Sequence, residues 1–299
     1  MVSKVMNEHY VPQSYLRQFT FDGKFLFVFD KVTKRPFLHP TNIKNLACER
    51  YFYDLPGDDS HLVEIILGKL IDGNYPTWID SLLATVNKGL DIDQRQKENI
   101  ALCMANQLLR TKKYRYFNQE IVEETFSAML QITLAAKVKW GGLKLDTPLD
   151  AYRVEYNQEW APLDQARSMF GPSMFRITNI LCNHIWVVGK NNTKKPLYTS
   201  DNPVVWDTQK EFPPCRGVGL VSEGIEVAFP LTPRYILVLY ERKFFTKYEK
   251  LDGKCIELNS ENVKYYNSFQ VYDSYRQIYC PSSDFNLAED ICNKNPGLF

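Results

Sequence analysis

From Trp78 to Trp140 the chain contains no proline and a single glycine, Gly89. Nothing in that stretch removes a backbone donor, and almost nothing loosens the chain, so most of it is bound to be helical. Polar breaks divide it into three helices, 77–88, 93–112 and 114–140. A shorter helix precedes them. Apolar positions 62, 65, 66 and 70 recur at helical spacing behind Ser60, with Glu64 a turn on, and Gly73 and Pro76 end the run.

On either side the pattern changes. In front, residues 24–29 are aromatic and β-branched, and a polar turn separates them from 35–39, which reads as a hairpin. Arg50–Tyr53 reads as a further strand, ended by Pro56-Gly57-Asp58-Asp59. Behind Gly141-Gly142, residues 143–172 carry prolines at 148, 162 and 172 and read as irregular. Strand-like runs follow at 174–180, 184–188, 197–199, 226–229, 235–240 and 277–280, with a helix from Ser260 to Phe269. This is an α+β order: N-terminal β-hairpin elements, a central helical block and a mainly antiparallel C-terminal sheet. We expect one compact domain over 1–299, divisible at most into a β arm 1–60, a helical block 61–142 and a β-rich part 143–299.

Composition excludes several function classes. A net charge of +1 removes any whole-chain argument for nucleic acid or acidic membranes and leaves only local patches. The seven cysteines are widely spaced, with no Cys-x-x-Cys, so neither a zinc knuckle nor a redox dithiol is indicated. They read as reduced thiols, and with no signal pattern at the N-terminus the expected location is cytoplasmic. No apolar run approaches the ~18 residues that span a bilayer. Phosphate-loop, dinucleotide-binding, nucleophile-elbow and zincin motifs are all missing, which argues against kinases, Rossmann oxidoreductases, α/β-hydrolases and zincins.

Four polar constellations remain. His9 can act near neutral pH as acid, base or metal ligand, and Arg17, eight residues on, can clamp a phosphate or carboxylate. A structural clasp built from the same residues fits the pattern as well. Thr199-Ser200-Asp201-Asn202-Pro203 presents polar side chains at the end of a strand. There Asp201 has the chemistry to bind a divalent cation or orient a base, and Asn202 to hold a substrate oxygen. A self-bonded Asx turn is the competing reading. On the helical block, Asn106, Gln107, Arg110 and Thr111 form a polar stripe in an otherwise apolar helix, and once buried they need partners. The basic run Arg110, Lys112, Lys113 and Arg115 suits phosphate binding through a local patch, or simply the negative pole of a helix. Glu241-Arg242-Lys243 behind strand 235–240, with Asp201 before it, matches the acidic-then-Glu-x-Lys order of metal-dependent nucleases in outline, but so short a pattern recurs by chance.

The chain resembles a large, mostly microbial family known as domain of unknown function 4238. The resemblance is carried by His9-Tyr10-Val11-Pro12 with Tyr15-Leu16-Arg17-x-Phe19, by Leu26–Lys31, by Asn42-x-x-Asn45-Leu46-Ala47 and by Tyr51-Phe52-Tyr53. Gln107-x-x-Arg110-Thr111, Thr199–Pro203 and Phe229-Pro230-Leu231-Thr232-Pro233 continue it. Where a recurrent Glu is expected in the helix after the hairpin, this chain has Asp72. The resemblance implies candidate positions and no mechanism. Those positions are the vocabulary of a site, so we expect one pocket where the N-terminal arm, the long helix and the Asp201 loop converge. In it His9 and Asp201 are the catalytic candidates, and Arg17, Gln107, Arg110 and Asn202 hold substrate. The expected activity is that of a hydrolase, nuclease-like, on a phosphodiester or similar anion, with nucleic acid or nucleotide as partner; the sequence leaves the cofactor unknown, a divalent cation being one option. The alternative is a non-catalytic sensor or protein-interaction module, with a role in microbial defence carried by analogy alone.

Overall fold

The computed structural model describes residues 7–55, 57, 61–213 and 217–297. The expected cap Ser60 and the strand-ending Pro56, Asp58 and Asp59 lie outside the described residues. The front of the chain supplies β1 (Asn7–His9), α1 (Gln13–Leu16), β2 (Phe25–Asp30), β3 (Arg35–Pro36), β4 (Thr41–Asn42) and β5 (Cys48–Arg50). The helical block is α2 (Leu62–Leu67), α3 (Tyr75–Asn87), α4 (Gln94–Arg110) and α5 (Lys112–Lys139). It continues into α6 (Ala161–Phe170) and α7 (Pro172–Cys182). Strands β6 (Ile185–Asn191), β7 (Thr199–Ser200), β8 (Val205–Thr208), β9 (Ile225–Thr232), β10 (Tyr235–Tyr240) and β11 (Lys254–Leu258) follow. The described chain closes with α8 (Ser260–Asp273), β12 (Gln277–Cys280) and α9 (Asn286–Lys294).

The architecture is α+β, and three of the expected elements are corrected. The run 174–180 is rich in Ile and Thr, yet it forms helix α7 rather than a strand. Pro172 starts that helix where a missing N–H costs nothing. Met174, Ile177 and Leu181 then fall on one helical face, against the main core. The stretch 143–172 likewise holds a helix, α6, with Pro162 in its first turn instead of breaking it. The strand expected at 50–53 runs over Cys48–Arg50 and stops at Tyr51, whose φ is 56°.

Strands β11-β6-β10-β9-β8 form a sheet that is antiparallel except for the parallel pair β11/β6. Both faces are covered, which is why its strands read as unbroken apolar runs. Trp186, Val188, Val227, Phe229, Leu237 and Leu239 face the helical block. Ile185, Val187, Ala228, Ile236 and Val238 face the side where Val263, Tyr266 and Phe269 of α8 pack. A second sheet, β3-β2-β12-β7 with β4 against β2, brings the N-terminal hairpin beside the strand that leads into Asp201.

One side chain joins these parts. Tyr15 of α1 is buried and stacks on Phe229 of β9 at 5.3 Å. Its hydroxyl donates to the Pro230 carbonyl at 2.8 Å and lies 2.6 Å from Thr199 Oγ1. Tyr15→Phe keeps the stacking and leaves two buried oxygens short of a partner. We expect a loss of about 1–3 kcal/mol in denaturant unfolding. A loss within error would mean that the hydroxyl contributes nothing to this junction.

Candidate functional site

The site is organised around a guanidinium with no solvent exposure. Arg110 closes α4, and its Nη1 donates to Asp72 Oδ1 at 2.7 Å and its Nη2 to the His9 carbonyl at 2.6 Å. Burial alone would push the guanidinium down, but Asp72, Tyr53 and Glu64 outweigh it and raise it. Asp72 is delivered by a wide turn of π geometry, Gly68–Asp72, that prolongs α2, and such turns recur at functional sites. The helix end is completed by the Tyr53 hydroxyl donating to the Arg110 carbonyl at 2.8 Å. Gln107, one residue into the same stripe, donates to the Tyr10 carbonyl at 3.0 Å. Strand β1 is thereby tied to the helical block through its backbone, and the side chains of Glu8 and His9 are left to do something else.

His9 is buried and its Nε2 has no hydrogen-bond partner. Burial, and then the nearby Arg110, hold the imidazole below its ordinary range, so it is neutral near pH 7. Hydrogen bonding to the backbone of Ile43 and Lys44 acts in the opposite direction but does not outweigh them. Glu8, on the opposite strand face, is 1% exposed. Its Oε2 accepts from the Tyr53 N–H at 2.5 Å, and its Oε1 has no hydrogen-bond partner. His61 Nδ1 lies 3.5 Å from that Oε1 and 2.8 Å from Asp54 Oδ1. His61 has a left-handed φ of 51°, a strained position for a residue with a side chain. One turn on, Glu64 is pushed up to about 7 by burial, with Asp72 and Glu8 adding to it and Arg110 opposing.

Among the described residues, most buried polar side-chain atoms without a hydrogen-bond partner lie on this cluster and its stripe. They are Glu8 Oε1, His9 Nε2, His61 Nε2, Glu64 Oε2, Arg110 Nε and both amide atoms of Asn106.

The other candidates fall elsewhere. Asp201 is buried and accepts backbone N–H bonds from Tyr275, Arg276 and Gln277, each at 2.8 Å. Asn202 donates to the Asp273 carbonyl at 2.9 Å. Both residues therefore hold the turn between α8 and β12. Asp201 reaches the N-terminal arm electrostatically at Tyr10, whose hydroxyl is raised by burial and then by Asp201. Arg17 is exposed, donates to the Gly23 carbonyl at 3.2 Å, and lines a hollow of about 340 Å³ with Gln13, Lys24, Asn42, Ile43 and Lys44. No carboxylate lines that hollow. The basic run is already occupied: Lys112 pairs with Glu49, Lys113 with Asp273, and Arg115 donates to the Phe52 carbonyl and Gln165. Glu241 accepts from the Lys243 and Phe244 N–H groups and caps a turn. A larger hollow of about 420 Å³ between α8 and α9 contains none of these groups.

The sequence profile of the family described as "Protein of unknown function (DUF4238)" matches residues 7–284. The chain belongs to this family. No curated protein and no solved structure matches it. The DUF4238 match begins at the strand that carries Glu8 and His9 and spans every group described above. Glu8, Asp54, His61 and Glu64 were missed by sequence reasoning. The available signal was His61 and Glu64 three apart at a helix start, which reads equally well as ordinary capping.

Two measurements test this account. Arg110→Met removes the cation and leaves Asp72 facing an apolar chain. We expect a loss of about 3–5 kcal/mol on unfolding, against a change within about 0.5 kcal/mol for exposed Arg17→Ala. Equal losses would refute the central place given to Arg110. For Asp201, burial outweighs the three backbone N–H bonds and pushes the carboxyl up to about 6. Its protonated form therefore contributes stability that is full below the ordinary carboxylate range and lost as pH rises through about 6. The stability gap between the protein and Asp201→Asn should narrow from about pH 4 to about pH 7, and parallel curves would contradict the assignment.

Proposed function

We propose that the protein is a hydrolase acting on phosphodiesters of nucleic acid or nucleotides, with His9 as its acid/base group. The observation that carries the reading is the concentration of buried, unpartnered ionisable groups around Arg110. Folded proteins leave few such atoms, so a cluster of them is a place prepared for a ligand or a reaction. A neutral imidazole with a free Nε2 is the form that can take a proton from attacking water. The hollow of Arg17, Lys24 and Lys44 adjoins it through Ile43 and Lys44, and its lining is cationic without a carboxylate. Such a lining suits a phosphate, with Arg17 able to grip two oxygens at once. Gln107 acts in this reading as a positioning residue, holding the backbone next to His9, while Asp201 and Asn202 serve the α8–β12 turn. We place the enzyme in the cytoplasm, a compartment suited to the six described cysteines, all free thiols.

A second reading is supported by α5. Along its 28 residues Phe117, Phe126, Met129 and Ile132 are each more than half exposed, and Trp140 behind it is 81% exposed. An apolar surface of that kind is what a protein-interaction module would present. No helix of the described chain is long and apolar enough to cross a membrane.

Purified protein should cleave mixed RNA or DNA in the presence of Mg²⁺ or Mn²⁺. His9→Ala should lower the rate by about 10²-fold or more while melting cooperatively, and Arg17→Ala should act mainly on KM. Absence of cleavage by folded protein would remove the hydrolase reading and leave the α5 surface as the seat of function, while full activity in His9→Ala would remove His9 as its acid/base group.

A further inference from the structure

We infer that Glu8, Asp54 and His61 form a binding site for one divalent first-row cation of the Mn²⁺ or Zn²⁺ class. One ligand atom from each lies within 4.8 Å of the other two. Ligands bound to such a cation at about 2.0–2.2 Å in tetrahedral geometry stand roughly 3.3–3.6 Å apart. The 3.5 Å between His61 Nδ1 and Glu8 Oε1 fits that spacing, and the 2.8 Å to Asp54 Oδ1 needs only a small outward shift of a side chain that is 27% exposed.

The independent observation is Glu8 Oε1. Glu8 is 1% exposed, its other oxygen is fixed by the Tyr53 N–H, and Oε1 has no hydrogen-bond partner although it points at His61. A carboxylate in that position bears a desolvation penalty that His61, 3.5 Å from the oxygen, offsets only in part, so the carboxyl stays raised. A bound cation relieves it. The Tyr53 N–H would then be the outer partner that orients a ligating carboxylate, the usual second tier of a metal site.

The scaffold is consistent with this role. The left-handed backbone of His61 sets its ring toward Glu8 and Asp54 rather than along α2. Glu64, whose Oε2 is also unpartnered, interacts electrostatically with Glu8 and His61. It lies beside the three ligands without joining them. Two carboxylates and one imidazole make a mixed oxygen and nitrogen set, which favours Mn²⁺ or Zn²⁺ over Ca²⁺. Three protein ligands with a position left over is the pattern of a catalytic rather than a structural centre. The link to catalysis rests on the hydrolase reading; the existence of the site does not.

The test uses the full chain stripped with a chelator. Free Mn²⁺ is followed by its paramagnetic resonance signal during titration, Zn²⁺ by calorimetry, and Ca²⁺ serves as the hard-ion comparison. We expect one saturable equivalent of Mn²⁺, tighter binding of Zn²⁺, and a rise in melting temperature with either. His61→Ala and Glu8→Gln should weaken Mn²⁺ binding at least tenfold. Asp54→Asn, at a partly exposed position where folding is safe, should do the same. Absence of saturable Mn²⁺ and Zn²⁺ binding, or Mn²⁺ binding unchanged in Asp54→Asn and His61→Ala, would overturn the site. Saturable binding without hydrolysis removes the hydrolase reading alone, and hydrolysis by a protein that binds neither ion removes this site alone.

Discussion

A guanidinium with no access to solvent has to find its partners inside the protein, and Arg110 finds them on separate stretches of chain: the turn that ends at Asp72 and the His9 carbonyl. Its own carbonyl receives Tyr53. An unpaired buried cation is costly enough that each of these segments is held in place by the need to compensate it. The end of α4, strand β1, the segment before α2 and the turn behind it are thus positioned by one charge. The same charge explains the company it keeps. Glu64 and Asp72 sit in its field, with Glu8 close by, and these carboxylates outnumber it. With Asp72 already paired to Arg110, the carboxyl groups of Glu8 and Glu64 left over beside it make the neighbourhood suited to a second cation.

The rest of the fold supplies rigidity. The large sheet is covered on both faces, so its strands have no solvent side, and Tyr15 pins the N-terminal arm to it. On the far side, Asp201 and Asn202 knit the α8–β12 turn by their bonds to main-chain groups. Buried Lys31 donates to the Ser274 carbonyl in the same turn, and Asp30 pairs with Arg276. The conspicuous polar residues of this chain therefore divide into two kinds. One kind satisfies backbone groups in the interior, while the other keeps atoms free.

Asp72 illustrates how local backbone geometry sets the reach of a short side chain. The shorter carboxylate reaches Arg110 because it is the last residue of a π-type turn, where the chain is one residue wider than in an α-helix.

The sequence by itself determined the elements. The proline-free stretch became α3, α4 and α5 within a few residues of the expected limits, and the apolar runs at 235–240 and 277–280 became β10 and β12. These outcomes are local, set by backbone donors, side-chain periodicity and the positions of Pro and Gly. It also marked His9, Gln107 and Arg110 as polar residues in apolar surroundings, and they do converge. The tertiary structure alone decided which polar groups share a site. Glu8 meets Tyr53 across 45 residues and Arg110 meets His9 across 101, so no window of sequence contains both partners. It alone separated Asp201 from His9, and it alone brought His61 and Asp54 to Glu8. Such meetings are fixed by how buried charges are compensated once the core has packed, and that compensation exists only in three dimensions.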